Sequence, residues 1–356
     1  MKKIVYLFGT GATIAEMQHQ GIESHLSMSE IEMNIRELSA TEGGKYEALY
    51  RKFSLTPSLD IEWVISLLDG CTLSETIRFK DVSSELKLLF RRYLIAQITE
   101  RKIDPKISSC LLHLHKKYGN KMGDNGELLT GLFTLNYDDF LEEAINVVHG
   151  GINCGIGFKS KDYKCNLNAP PLFKLHGSLN WKINKHILQS QKLEISKDYQ
   201  KILYQDDNSG WMPPSVYKRP QGAFENMWNR ASILLENCDI LRVIGSSLRS
   251  EDSALLSMIF TSQVKSEKPF KIELIVPTKD AIGSDENPIG ITQRVNFLAG
   301  LTSFTDLDII PKDFIDPGST GNIYKQWIEL KIDEIQQNLG VPLSEDIFLS
   351  KRLWEV

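Results

Sequence analysis

Residues 4–13 have the sequence Ile4-Val5-Tyr6-Leu7-Phe8-Gly9-Thr10-Gly11-Ala12-Thr13. The five apolar residues predict a buried strand, because a short apolar run ended by glycines is typical of a central strand in a parallel sheet. Glycines at the end of such a strand let the backbone approach a ligand, and the amides that open the next helix can bind a diphosphate. Ile14 replaces the third glycine of the dinucleotide-binding fingerprint, so the turn alone fits a nucleotide site or a plain tight turn equally well.

Further apolar runs predict strands that alternate with helices, which implies parallel β-α-β units. The predicted strands cover residues 132–136, 172–175, 240–244, 272–276 and 306–310, and the predicted helices between them cover 140–148, 224–235, 254–264 and 291–298. Residues 184–221 contain Asp-Asp-Asn-Ser-Gly and Pro-Pro sequences and are predicted to be mainly loop. We therefore expect an α/β fold with a Rossmann-like, doubly wound, mostly parallel sheet.

Helical periods dominate a long early segment and return at the end of the chain. Residues 29–120 are predicted to form a helical insertion, and a last helix is predicted over about residues 321–338. We expect the core to comprise residues 1–28 and 121–318, with a C-terminal helical extension over 319–356.

Composition excludes several classes of protein. The 356 residues include 41 Lys and Arg against 46 Asp and Glu, and the net charge of −5 argues against a protein that coats nucleic acid or an anionic membrane. The five cysteines stand singly, which argues against a disulfide framework or a four-cysteine zinc site and favours a reducing cytoplasm. No apolar run approaches the ~20 residues of a membrane span, and no Walker-type phosphate-binding motif occurs.

Polar residues follow each predicted strand, where ligands bind in open α/β sheets. After the second strand come Asn136, Tyr137, Asp138 and Asp139. Asp139 with Glu142 fits the capping box of the next helix, which leaves Asn136 and Asp138 unexplained. An asparagine at this place can hold a ribose hydroxyl or a water molecule through its donor and acceptor groups.

The third and fourth strands have similar endings. His176 precedes Gly177, and its ordinary pKa of about 6.5 suits a general base at neutral pH, although an isolated histidine is more often structural. Gly245, Ser246 and Ser247 follow the next strand, where they could contact a nucleotide or cap a helix. His113 and His115 are two residues apart on a predicted helix, so their side chains diverge and a metal site is not expected.

Taken together in this order, the four groups resemble the sirtuin superfamily, whose motifs are G-A-G-x-S, T-Q-N-I-D, H-G and G-T-S-L. The corresponding residues are Gly9 to Thr13, Thr134 to Asp138, His176-Gly177 and Gly245 to Leu248, followed by the apolar strand 274–276. Two departures matter. Only Cys238 lies between His176 and Gly245, where sirtuin deacetylases carry the cysteine pairs of a zinc ribbon, and Leu135 replaces the glutamine of the motif.

The Asn-Tyr-Asp and Lys-Leu-His-Gly-Ser sequences are similar to the sirtuin-like NAD-hydrolysing proteins of bacterial anti-phage defence. The resemblance implies an NAD+ glycohydrolase without a metal. In this interpretation Asn136 and His176 are catalytic, Asp138 binds the carboxamide of nicotinamide, and the nucleotide is bound further by Gly9, Thr10, Gly11, Ala12, Thr13, Gly245, Ser246 and Ser247.

The same resemblance implies a cytoplasmic homo-oligomer, restrained until a trigger acts, with a co-encoded ATPase of the HerA type or a phage-derived protein as possible partner. Neither a membrane nor a nucleic acid is expected as a direct partner. Two alternatives stay open at this point: a non-catalytic module that senses NAD or ADP-ribose, and an NAD-dependent protein deacylase or ADP-ribosyltransferase.

Overall fold

The computed structural model describes residues 1–41, 61–71, 77–99, 103–183, 193–199, 209–216, 218, 220, 222–249, 252–276, 307–310, 320–343 and 346–349. The helix predicted over 291–298 lies outside these residues. In chain order the strands are β1 (Lys2–Phe8), β2 (Glu127–Thr134), β3 (Phe158–Ser160), β4 (Leu172–Lys174), β5 (Gly177–Ile183), β6 (Leu193–Ile195), β7 (Ser209–Trp211), β8 (Ile240–Ile244), β9 (Lys271–Ile275) and β10 (Leu307–Ile310). The helices are α1 (Thr10–His19), α2 (Met28–Thr41), α3 (Ile61–Cys71), α4 (Ile77–Thr99), α5 (Lys106–Tyr118), α6 (Phe140–His149), α7 (Ala223–Glu236), α8 (Ser253–Lys265), α9 (Thr320–Leu339) and the short α10 (Ile347–Leu349).

The larger sheet has the strand order β10-β9-β8-β1-β2-β4, and every neighbouring pair is parallel. The predicted α/β class with a Rossmann-like parallel sheet is thus confirmed. The chain moves outward from β1 through β2 to β4 on one side, and from β8 through β9 to β10 on the other. The order therefore reverses between β1 and β8, and the carboxyl ends of these two strands open a crevice of the kind that binds ligands.

Helices pack in two groups around this sheet. Helices α1, α5 and α9 contact one another, and α7 contacts α8. Tyr6 of β1 is fully buried beneath the first group, where its hydroxyl lies 2.7 Å from Nε2 of His115 and its ring packs against Trp327. The predicted last helix is thereby observed as α9, and its Trp327 is buried as expected, whereas Leu330 is exposed.

A second, four-stranded sheet has the order β3-β6-β5-β7. Strand β5 pairs antiparallel with β6 and with β7, while β3 pairs parallel with β6. Strands β6 and β7 both fall within residues 184–221, so the prediction that this segment is mainly loop is wrong for these two pieces. The reason is tertiary: each strand has three residues and is defined by pairing with β5 or β3 rather than by a period of its own.

Helices α2, α3 and α4 pack into a separate apolar cluster beside the sheet, which we call the helical unit. The cluster includes Ile35, Ile65 and Phe90, and Phe90 stacks on Trp211 of β7 with 6.3 Å between ring centroids. Helix α5, which lies inside the predicted insertion 29–120, instead buries its apolar side chains in the core of the larger sheet. The division into core, insertion and C-terminal extension stays a prediction.

Over the part of the chain that the structure describes, no helix combines the length and the apolar character needed to cross a bilayer.

Candidate active site

A cavity of about 370 Å³ opens at the carboxyl ends of β1, β2 and β8, where the strand order reverses. Nine of the predicted site residues line it: Gly9, Thr10, Gly11, Asn136, Asp138, His176, Gly245, Ser246 and Ser247. Ala12 and Thr13 do not line the cavity. They are buried in the first turn of α1, and Thr13 acts from there through hydrogen bonds to two of the lining side chains.

Asn136 is held by its amide nitrogen. Its Nδ2 donates to the carbonyl of Gly9 and to Oγ1 of Thr13, both at 2.9 Å. These bonds fix the side chain against the turn after β1, because both acceptors belong to buried backbone or buried side chains. The other end of the amide, Oδ1, is buried and has no hydrogen-bond partner in the protein. A buried acceptor without a partner is costly unless a ligand or water supplies a donor.

Asp138 sits beside Asn136 and shares Thr13 with it. The Thr13 hydroxyl donates to Oδ2 of Asp138 at 2.7 Å, while Oδ1 of Asp138 accepts from the amide of Phe140 at 3.2 Å. The second bond places Asp138 at the start of α6. One hydroxyl therefore aligns an amide and a carboxylate that both face the cavity.

The turn after β1 and the loop after β8 touch each other because both contain glycine. A Cβ atom on Gly9 would lie 2.6 Å from the carbonyl oxygen of Gly245, and one on Gly245, whose φ is +60°, would lie 2.3 Å from the nitrogen of Ala12. The Gly11 amide donates to the Gly245 carbonyl at 2.8 Å, and the Gly9 amide donates to the Ile244 carbonyl at 2.9 Å. Two of the amides expected to receive a diphosphate are thus already bonded.

His176 follows β4 and is 4% exposed. Its Nε2 lies 3.5 Å from Oδ1 of Asp252. Burial, together with the positive charge of Lys218, lowers the pKa of His176 to about 3 against the opposing effect of Asp252. The expectation that this histidine keeps its ordinary pKa is therefore wrong. At neutral pH the ring is uncharged, so it can accept a proton, but it is a weak base.

Four charged side chains continue from His176 across the cavity wall. Oδ1 of Asp252 also accepts from Nζ of Lys218 at 2.9 Å, and Lys218 reaches Oε1 of Glu62 at 3.1 Å. Oε2 of Glu62 then pairs with Nη2 of Arg249 at 2.5 Å. Although burial acts to raise the pKa of Asp252, the charge and hydrogen bond of Lys218 hold that pKa below its ordinary value. The charges alternate in sign along this row, which we call the ion row.

Sequence reasoning missed most of the ion row. Lys218 falls in a segment predicted as loop, Glu62 lies on a helix of the helical unit, and neither belongs to a motif. Asp252 lies between the fourth motif and α8 and belongs to no motif. No local sequence signal identifies a pairing between residues 62 and 218, because it depends on how the helical unit packs against the sheet.

The helical unit forms one wall of the cavity. Ile31 of α2, Glu62 of α3 and Phe90 of α4 are all lining residues. Tyr137 also lines the cavity; its ring lies 6.1 Å from the His176 ring, and its hydroxyl donates to the carbonyl of Met212 at 2.8 Å. The cavity is therefore bounded by both the sheet and the helical unit.

The predicted capping box of Asp139 and Glu142 is wrong, because both side chains bond to other partners. Asp139 occupies the position before α6, but its carboxylate accepts from the hydroxyls of Tyr199 at 2.7 Å and Tyr163 at 3.1 Å and makes no side-chain cap. Glu142 pairs instead with Lys174 at 3.1 Å, and both are fully buried. Lys174 also donates to the carbonyl of Asp138, so this ion pair supports the loop that carries Asn136 and Asp138.

Among the described residues, no group of three or more His, Cys, Asp or Glu side chains is placed to hold a metal ion. His113 and His115 diverge as predicted: Nε2 of His113 lies 3.0 Å from Oδ2 of Asp346, and His115 contacts Tyr6.

Comparison with known proteins gives one family match. Residues 130–275 match a family model described as a SIR2-like domain. This range contains Asn136, Asp138, His176 and the loop after β8, and it excludes the turn after β1. No curated protein matches the chain by sequence.

Among the solved structures that resemble the chain are Sir2 proteins of low sequence identity. A Sir2 homologue in complex with NAD is 15% identical, with 94% of this chain and 91% of that chain covered and a TM-score of 0.44. A mutant Sir2 homologue in complex with 2′-O-acetyl ADP ribose is 13% identical, with 94% and 93% covered and a TM-score of 0.47. Sir2Tm bound to a propionylated peptide is 12% identical, with 85% and 94% covered and a TM-score of 0.35.

Proposed function

We propose that this chain is an NAD+ glycohydrolase, which cleaves NAD+ to nicotinamide and ADP-ribose. One observation carries the proposal. Asn136 and His176 come from the ends of two adjacent parallel strands and line the same cavity, where the buried Oδ1 of Asn136 has no protein partner. Hydrolysis at a sugar carbon can use an acceptor that positions the ribose or the water and a ring that accepts a proton, and both groups belong to residues that line this cavity.

The cavity suits a dinucleotide in position and in lining. It lies at the point where the strand order reverses, and the contact between Gly9 and Gly245 brings two backbone loops to its floor without side chains between them. Thr10 and Ser247 add exposed hydroxyls to the lining. In the SIR2-like interpretation, Asp138 receives the carboxamide NH₂ of nicotinamide, and a carboxylate is a suitable acceptor for that group.

The reaction needs little acid or base strength. The bond between C1′ of the ribose and the pyridinium nitrogen breaks, and its electron pair stays on nicotinamide, which leaves as a neutral molecule. Water adds to the oxocarbenium-like C1′, and the oxygen then loses one proton. Position and stabilisation of the cationic sugar therefore contribute more than proton transfer.

The low pKa of His176, about 3, helps to define its role. A neutral imidazole of this basicity is too weak to deprotonate a ribose hydroxyl beforehand. It is strong enough to accept the proton of a water molecule that is already bonding to C1′, because a protonated oxygen of that kind is very acidic. We infer that His176 serves the attacking water.

Asn136 complements that role. Its Nδ2 is engaged by Gly9 and Thr13, so Oδ1 is fixed in direction and can accept a hydrogen bond from a ribose hydroxyl or from the attacking water. A side chain held in this way loses no rotamer freedom when the ligand binds, which lowers the cost of positioning.

The wider role of this activity follows from the same proposal. Free NAD hydrolysis would be toxic, so the SIR2-like interpretation favours a restrained, cytoplasmic, oligomeric effector of anti-phage defence. A co-encoded HerA-type ATPase or a phage-derived protein is the proposed source of activation.

The test is to incubate the purified chain with NAD+ and to quantify nicotinamide and ADP-ribose, with and without a co-encoded neighbour. Asn136→Ala and His176→Ala should each lower nicotinamide release by about 10²–10⁴-fold. His115→Gln is the matched control, since His115 is also a buried histidine but does not line the cavity. Equal cleavage by all four proteins would refute the site.

The same assay separates the alternatives. A sensing module would bind ADP-ribose without releasing nicotinamide, and a deacylase would form acetyl-ADP-ribose only when an acetylated peptide is added. Transfer of ADP-ribose would label a protein rather than yield the free sugar nucleotide.

A further inference from the structure

Three backbone amides of the turn after β1, where a diphosphate is expected to bind, already donate to protein carbonyls. The amides of Gly9 and Gly11 donate to the carbonyls of Ile244 and Gly245, and the Ala12 amide donates to the Gly9 carbonyl at 2.9 Å. A diphosphate carries negative charge that must be matched by donors or cations when it leaves water. A dinucleotide in this cavity therefore needs donors or cations beyond these three amides for its diphosphate.

Two cationic side chains are in place to supply them. Among the described residues that line the cavity, Lys218 and Arg249 are the ones that carry a permanent positive charge. They approach from different elements: Lys218 follows β7, and Arg249 follows β8. The Lys218 side chain is 5% exposed and that of Arg249 is 29% exposed, so both charges are at least partly removed from water.

Glu62 lies between these two cations. Its Oε1 pairs with Lys218 at 3.1 Å and its Oε2 with Arg249 at 2.5 Å, and its side chain is 1% exposed. A carboxylate that offers one oxygen to each of two cations imitates the way in which a phosphate group would engage them. Glu62 belongs to α3 of the helical unit, whereas both cations belong to the part of the chain around the sheet.

We propose that Lys218 and Arg249 bind the diphosphate of the dinucleotide, and that Glu62 competes with the ligand for both of them. The helical unit thus restrains the site through one carboxylate. This inference rests on the proposed function for the identity of the ligand, and it adds the residues that bind its diphosphate and the contact that limits access.

Charge balance supports a competition rather than joint binding. With His176 neutral, the two cations balance Glu62 and Asp252, so the ion row has no net charge. A dianionic diphosphate placed there with Glu62 still present would leave excess negative charge in a mostly buried site, which is unfavourable. Withdrawal of Glu62 halves this excess, because the net charge of the row and the diphosphate falls from −2 to −1 while Asp252 stays paired with Lys218.

The experiment measures binding of ADP-ribose and of adenosine by calorimetry, because only the first carries a diphosphate. Glu62→Gln removes the competing charge and keeps the side-chain size, so its affinity for ADP-ribose should rise about tenfold, with adenosine unchanged. Arg249→Met should lower the affinity for ADP-ribose about tenfold and leave the affinity for adenosine unchanged. Glu32→Gln is the control, since Glu32 is also a carboxylate of the helical unit but pairs with Arg36 away from the cavity.

Each outcome decides the proposal. Unchanged or weaker ADP-ribose binding by a folded Glu62→Gln protein overturns it, as does equal loss of adenosine and ADP-ribose in Arg249→Met. If thermal melting shows that Glu62→Gln does not fold, the binding of ADP-ribose and adenosine by Arg249→Met decides the proposal, because Arg249 is partly exposed and its replacement disturbs the fold less. The proposed function fails separately: ADP-ribose binding that follows the expected pattern, without any NAD+ cleavage, keeps this inference and refutes the glycohydrolase. If the protein cleaves NAD+ but Glu62→Gln does not change the affinity for ADP-ribose, the glycohydrolase stands and this inference is refuted.

Discussion

Replacement of His176 by glutamine should change how the stability of the protein depends on pH. The folded protein holds the pKa of His176 at about 3 by burial and by the charge of Lys218, whereas an unfolded chain has the ordinary value of about 6.5. When pH falls below about 6.5, the unfolded state takes up the proton first. The wild type therefore loses stability as pH falls from about 6.5 to about 3, and the glutamine variant lacks this contribution.

The magnitude follows from one proton of difference between the two states. Such a difference changes the free energy of unfolding by about 1.4 kcal/mol per pH unit. Lowering the pH from about 7 to about 5 should therefore cost the wild type about 2 kcal/mol more than it costs His176→Gln. His115 and His149 also have lowered pKa values, but they are present in both proteins and cancel in the comparison.

The assay is urea unfolding of both proteins at several pH values in this range, followed by fluorescence or circular dichroism. His115→Gln provides a parallel case, because burial lowers the pKa of His115 to about 3 as well, and it should show a similar pH dependence. A stability difference between wild type and His176→Gln that stays constant with pH would refute the conclusion that His176 is neutral in the folded protein.

Two further changes test the support of the site. Thr13→Val removes the hydroxyl that links Asn136 to Asp138 and should lower the initial rate of NAD+ cleavage by at least about tenfold. Its free energy of unfolding in urea should fall by only about 1 kcal/mol. An unchanged rate would contradict the geometry in which both side chains share this hydroxyl. Lys174→Met leaves the carboxyl of Glu142 buried without its ion pair and should destabilise the protein by about 3 kcal/mol in urea unfolding; full stability would show that the pair contributes nothing.

The sequence predicted the elements whose signal is local. The sequence predicts strand β8 with its observed limits, because four apolar residues interrupted only by Arg242 and bounded by Asp239 and Gly245 leave little ambiguity. Strand β2 was predicted over 132–136, yet it spans Glu127–Thr134. Its start escaped detection because Glu127 is a buried charge that pairs with Arg242 of β8 at 2.5 Å, a contact that no local period contains.

The residues of the site also divide into those that a local sequence signal predicts and those that it does not. Asn136, Asp138 and His176 stand at strand ends, where topology alone brings side chains together, and the structure places all three in one cavity. The low pKa of His176 and the contacts of Glu62 with Lys218 and Arg249 could not be predicted, because burial and long-range ion pairs depend on how the helical unit is docked.

The most direct test of the account is a double-mutant cycle on NAD+ cleavage with Asn136→Ala, His176→Ala and the combination. If the amide and the imidazole act on one ribose and its attacking water, the double variant should be about as slow as the slower single variant, because residues that act as a unit are not additive. Losses that multiply in the double variant would mean that the two side chains act independently, and would contradict the shared site.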